Sequence, residues 1–101
     1  DLCPLINLHA QHLHILQIHL LSYFDILNKE RNELFNALDF QKLIIQSSDS
    51  SVTGFNIGIN DGIDAGQSIM HCHIHLIPRR KGDTSDPKGG VRGVIADKQK
   101  Y

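Results

Sequence analysis

Three histidines, His71, His73 and His75, alternate with Cys72, Ile74 and Leu76 and run directly into Ile77-Pro78-Arg79-Arg80. Successive side chains of a strand point to opposite faces at about 3.3 Å per residue, so the imidazoles line one face at roughly 6 to 7 Å intervals. Cys72, Ile74 and Leu76 then meet an apolar layer on the other face, where Cys72 is an inert packed thiol. Imidazole is the side chain whose ordinary pKa, about 6.5, lies closest to neutrality. Three of them on one face can supply a nucleophile, a base, an acid or a set of metal ligands.

The metal reading has a physical basis, since neutral imidazoles bind zinc and catalytic zinc sites often combine three protein ligands with one open position. Against it, the flanking residues offer no carboxylate to complete or orient such a site. The flanks fit a phosphate better. Gly66 permits close approach of backbone to ligand, and the Gln67 amide and Ser68 hydroxyl can hydrogen-bond phosphate oxygens or a leaving group. Arg79, Arg80 and Lys81 favour an anionic substrate electrostatically, although charges at a strand end are commonly just solvated. Asn60 ends the preceding strand, where antiparallel pairing could bring it beside the triad, although by itself it reads as a turn residue. His19, and the earlier His9, His12 and His14, could each join through the sheet or be ordinary surface histidines.

The elements that must position these groups are a short set. Residues 13–18 are rich in Leu and Ile and read as a strand. A helix is expected over about 28–46: Leu34, Leu38 and Ile45 recur at helical spacing, with Lys29, Glu30, Asn32, Glu33 and Asp39 on the other side. Asn28 is its expected N-cap, and Glu30 suits the positive end of the helix dipole. Ser47-Ser48-Asp49-Ser50-Ser51 should form a loop. Phe55, Ile57 and Ile59 alternate with Asn56, Gly58 and Asn60, which marks a strand with one buried face, and Asn60-Asp61-Gly62 turns the chain. This strand and the histidine strand should be antiparallel neighbours. Pro78 ends the histidine strand or sits where one N–H is dispensable. From Lys81 the glycine-containing tail reads as irregular chain draped over the domain.

With 101 residues, 41% of them hydrophobic, and a formal charge of -1, the sequence has room for one small globular domain, taken as 1–101. That charge is wrong for a generic nucleic-acid binder. The apolar run over 13–21 is broken by His14, Gln17 and His19 and falls short of the ~20 residues a membrane helix needs. Two distant cysteines without a CxxC pair argue against a disulfide scaffold or a thiolate zinc site, so a cytoplasmic location is expected. Asp1 opens the sequence without a methionine, a signal pattern or an Arg-rich presequence, which leads us to expect more chain upstream.

Taken together, the residues resemble the histidine triad family, whose motif is His-x-His-x-His followed by apolar residues. The likeness covers Ser22 to Tyr101 and includes Phe55-Asn56-Ile57-Gly58-Ile59-Asn60-Asp61-Gly62, Ala65-Gly66-Gln67-Ser68 and Asp86-Pro87-Lys88-Gly89-Gly90-Val91-Arg92-Gly93-Val94. It implies an α+β fold with an antiparallel sheet and one long helix, shortened here at the N-terminus, and a homodimer. It also implies binding of a purine nucleotide and chemistry at its α-phosphate without a metal or other cofactor. By the motif's positions His73 would be the nucleophile, His71 would orient it, and His75 would contact phosphate oxygens and assist the leaving group. Gly66, Gln67 and Ser68 would lie at the phosphates, Asn60 at the ribose-phosphate region, and His19 near the triad.

Within the family, Pro78-Arg79 and Lys81-Gly82-Asp83 look most like the fragile-histidine-triad branch and its bacterial relatives, which cleave dinucleoside polyphosphates. Nucleoside phosphoramidate hydrolysis is the alternative, and a nucleotide-binding module with little turnover is another. The nucleotide-transferring branch ends its motif in glutamine where this chain has His75. Two departures stand out: family strands that wall the base pocket are missing at the N-terminus, and Gln17-Ile18 stand where a basic pair is usual before His19.

Overall fold

The computed structural model describes residues 2–3, 14–18, 22–68 and 71–100. In chain order these form β1 (Leu2–Cys3), β2 (His14–Ile18), α1 (Asn28–Ser48), β3 (Val52–Ile59) and β4 (Cys72–Arg80), with short 3-10 turns between and after them. The four strands make one antiparallel sheet in the order β1-β2-β4-β3. The fold is therefore α+β with one long helix. The N-terminal side, where family strands were expected to be missing, falls largely outside the described residues.

The helix has different ends from those the sequence implies. Leu27, with extended backbone, is the N-cap, and Asn28 is already helical. The Glu30 carboxylate accepts from the Leu27 N–H at 3.4 Å, so the cap comes from a side chain reaching back. At the other end Ser47 and Ser48 do not break the helix. Their hydroxyls donate to the Ile44 carbonyl at 2.9 Å each, which keeps both residues within the last turn. Asp49 then caps it.

One side of α1 buries Leu34, Leu38, Gln41 and Ile45. The three apolar residues join Ile26, Val52, Cys72, Ile74 and Leu76 in a single core cluster, with Phe55 and Ile59 packed at its margin. Leu34, Ile74 and Leu76 are essentially sealed from solvent, each contributing roughly 1.5–3 kcal/mol by leaving water. From Cys72 the alternation in β4 works as the sequence implies, with Cys72, Ile74, Leu76 and Pro78 on the buried face and His73 and His75 on the other, but the strand begins after His71, which lies in a bend.

In β3 the expected buried face is less uniform. Phe55 and Ile59 are half-buried, but Ile57 is 53% exposed, because β3 is the outer strand of the sheet. The strand also starts earlier than the sequence implies, at Val52, with an irregularity between Val52 and Gly54. Pro78 does not end β4. It pairs with Phe55 on one side, and on the other lies past Leu76, the last position matched by β2 among the described residues.

Candidate functional site

β4 lies inside the sheet, between β2 and β3, and so holds His73 and His75 on a fixed frame, with His71 in the bend just before it. His73 stands in register with Gln17 of β2; His75 stands between Ile15 of β2 and Gly58 of β3. All three histidines are half-buried, and His73 and His75 lie on the strand face away from α1. Burial lowers the pKa of His73, and the neighbouring His75 and His71 lower it further. Burial also lowers that of His75. Both rings are therefore neutral at neutral pH, the form in which a ring nitrogen can attack or accept a proton. Cys72 points into the core, and burial pushes its thiol pKa up, as an inert role requires.

The loop before β4 is built as a closed unit. Gly66 adopts a left-handed conformation (φ 91°), and its N–H donates to the Ile63 carbonyl at 2.9 Å. Gln67 spans the loop: its Oε1 accepts from the Gly62 N–H at 2.8 Å, and its Nε2 donates to the His71 carbonyl at 3.3 Å. Ser68 is exposed. Asp61, in the turn after β3, accepts from the Tyr23 N–H at 3.3 Å and so ties the segment before α1 to the site's edge.

Asn60 is exposed at the end of β3 and lines a cavity of about 520 Å³ together with His75. The floor of this cavity is sheet, with Asn56, Gly58, Ile77 and Arg79, and its far wall is the tail, with Thr84, Asp86, Gly90, Val91, Val94 and Gln99. A side chain at Gly58 would meet nothing within 4 Å, so the space beside His75 is open. The tail is more ordered than its composition implies. Gly90–Val94 and Ala96–Lys98 form 3-10 turns, and Gln99 Nε2 donates to the carbonyls of Asp86 and Lys88 at 3.2 and 3.1 Å.

The basic residues after the triad do not stand ready for an anion. Arg79 makes a two-pronged contact with Asp83, at 2.9 and 2.8 Å, and donates to Asn56 Oδ1 at 2.5 Å. Arg80 pairs with Asp49 at 2.6 Å. The hydrogen bonds from Ser51 and from Arg80 hold the Asp49 carboxyl down to about 2. Both guanidinium groups are thus neutralised by carboxylates contributed by adjacent turns, and Lys81 is left exposed.

The structure therefore sets His73 and His75 on one strand, with Asn60 lining the cavity beside His75, and bonds Gln67 to the backbone of His71; Gly66 and Ser68 flank Gln67 in the loop. His19 lies outside the described residues. Gly58, Val91 and Val94 were not singled out by the sequence. Gly58 could have been found from strand register, whereas nothing periodic marks the valines. Among the described residues no three His, Cys, Asp or Glu side chains are grouped as a metal site, and no helix is long and apolar enough to cross a membrane.

The family model of the HIT domain matches residues 7–82. The chain belongs to the HIT domain family. It is 40% identical over 62 residues to the asymmetrical bis(5'-nucleosyl)-tetraphosphatase of Schizosaccharomyces pombe, covering 61% of this chain and 34% of that protein. It is 37% identical over 62 residues to the nitrilase and fragile histidine triad fusion protein NitFhit of Caenorhabditis elegans, 61% of this chain and 14% of that one. A third relative is the bis(5'-adenosyl)-triphosphatase of Dictyostelium discoideum, 53% identical over 30 residues, 30% of this chain and 20% of that protein. The chain spans about a third or less of the length of these relatives.

Proposed function

We propose that the protein hydrolyses dinucleoside polyphosphates at the α-phosphate through a nucleotidyl-histidine intermediate. The observation that carries this reading is the desolvated, neutral His73 at the centre of the triad face, in a HIT domain whose relatives are named as dinucleoside tetra- and triphosphatases. A nitrogen of His73 attacks the α-phosphorus, the bond to the bridging oxygen breaks, and His75 assists the departing phosphate. Water then attacks the same phosphorus, the P–N bond breaks, and a nucleoside monophosphate leaves with His73 regenerated. Gln67 fastens the Gly62–Ser68 loop to His71, and in this reading the loop's backbone and Ser68 contact the phosphates.

Diadenosine tetraphosphate and adenosine phosphoramidate, each incubated with the protein in the presence of a chelator, test the reading. Cleavage of the tetraphosphate that His73→Ala abolishes is the expected result. Cleavage of the phosphoramidate alone would move the assignment to phosphoramidate hydrolysis. AMP binding without turnover would make the protein a binding module.

The homodimer implied by the resemblance belongs to the same proposal. It is supported by apolar side chains left uncovered on the outer strand and on α1: Ile57, Phe40 and Leu43 are 53, 62 and 64% exposed. Sedimentation at micromolar concentration should show a species of twice the chain mass.

A further inference from the structure

The cavity beside the triad contains His75 but not His73, and extends from His75 along the strand past Ile77 to Arg79, about 13 Å of extended chain. Its far wall is supplied by residues 84–99, which lie beyond the 7–82 matched by the family. A group displaced from phosphorus held at His73 would depart past His75 and enter this space. The cavity, at about 520 Å³, lies within the roughly 300–1,000 Å³ typical of small-molecule sites.

Its chemistry selects what part of a ligand it holds. The Arg79 charge is already met by Asp83 and that of Asp86 by Lys100, each at 2.8 Å, so these charged groups of the distal end are already balanced and offer little pull on a phosphate. Ile77, Val91 and Val94 offer apolar surface instead. Val91 and Val94 are 53 and 83% exposed, held on a turn braced by Gln99, and would gain from being covered. An uncharged base and ribose at the end of a phosphate chain fits this pattern: charge near the histidines, apolar area farther out.

We propose that this cavity receives the distal nucleoside of a two-headed nucleotide, and that Val91 and Val94 discriminate such substrates from nucleotides with a small leaving group. The inference rests on the reading that His73 attacks the α-phosphorus. It is tested by comparing the unmodified protein with the double variant Val91→Ser, Val94→Ser on diadenosine tetraphosphate and adenosine phosphoramidate, with Tm measured for both. The ratio of kcat/KM for the tetraphosphate to that for the phosphoramidate should fall about tenfold, mainly through KM, with Tm preserved because both side chains are exposed. An unchanged ratio overturns the inference. Cleavage of the phosphoramidate but not the tetraphosphate by the unmodified protein also overturns it and leaves the His73 chemistry standing; cleavage of neither overturns both.

Discussion

The side chain of Gln67 is hydrogen-bonded to the main-chain carbonyl of His71, Nε2 donating at 3.3 Å. Through its other end, on the Gly62 N–H, the same amide closes the loop that precedes the triad. Gln67→Ala removes these two side-chain hydrogen bonds from a loop proposed to meet the phosphates. The expected outcome is a fall in kcat/KM of about tenfold, with a stability cost of about 1–2 kcal/mol, since two neutral hydrogen bonds are lost and each contributes on the order of 1 kcal/mol. Gln67→Glu keeps the acceptor for Gly62 and loses the donor to His71, so steady-state kinetics should place it between the two.

The depressed pKa of His73 sets the acid limb of the pH profile. An imidazole that must be neutral to attack, and that holds its proton less tightly than the ordinary 6.5, stays active to lower pH. The midpoint of the acid limb of kcat/KM should therefore lie below 6.5. A bend above 6.5 would contradict the burial seen here. Stability follows the same sign. Between the two values the unfolded chain binds more protons, so the stability present above 6.5 is lost as pH falls through the folded-state value, which urea titrations across that window would register.

Ile74 sits between His73 and His75 with its side chain buried on the opposite face, 2% exposed. Ile74→Ala should cost about 3 kcal/mol, the deleted apolar atoms plus the cavity they leave. Because the same strand carries the triad, activity should drop more steeply than the folded fraction does. Equilibrium denaturation alongside kinetics at a temperature where the variant is folded separates the two effects.

Gly58 is directly across from His75, with open space where a side chain would be. Gly58→Ala removes a flexible residue from a strand without a clash and should stabilise the fold by roughly 0.5–1 kcal/mol. Yet it narrows the space beside His75, so diadenosine tetraphosphate turnover should decrease. A variant both more stable by urea midpoint and slower in turnover is the expected pair of results.

Much of this was legible in the residues alone because it depends on local period. Alternation in 71–76 fixes which side chains face the core, and Leu34, Leu38 and Ile45 mark the buried side of the helix. Element ends were less legible, for a physical reason: Glu30 caps the backbone of Leu27, and Ser47 and Ser48 bond back to Ile44, so residues that resemble breakers are absorbed into the helix. The fate of Arg79 and Arg80 was also hidden. Their partners, Asp83 and Asp49, are brought near by a turn and by the pairing of β3 with β4, which no local pattern encodes. The tail shows the same limit, being held by one glutamine to carbonyls more than ten residues away.

The place of β4 between two neighbours has a kinetic consequence. From Ile74 to Leu76 this strand is flanked on both sides beneath a sealed apolar layer, so the amides of this stretch should be among the last of the described residues to exchange with deuterium, while the exposed Gly62–Ser68 segment exchanges early. In the proposed chemistry the nucleophile would thus be borne by a slow-opening strand, and the loop proposed to meet the phosphate chain by a segment that can breathe without unfolding it.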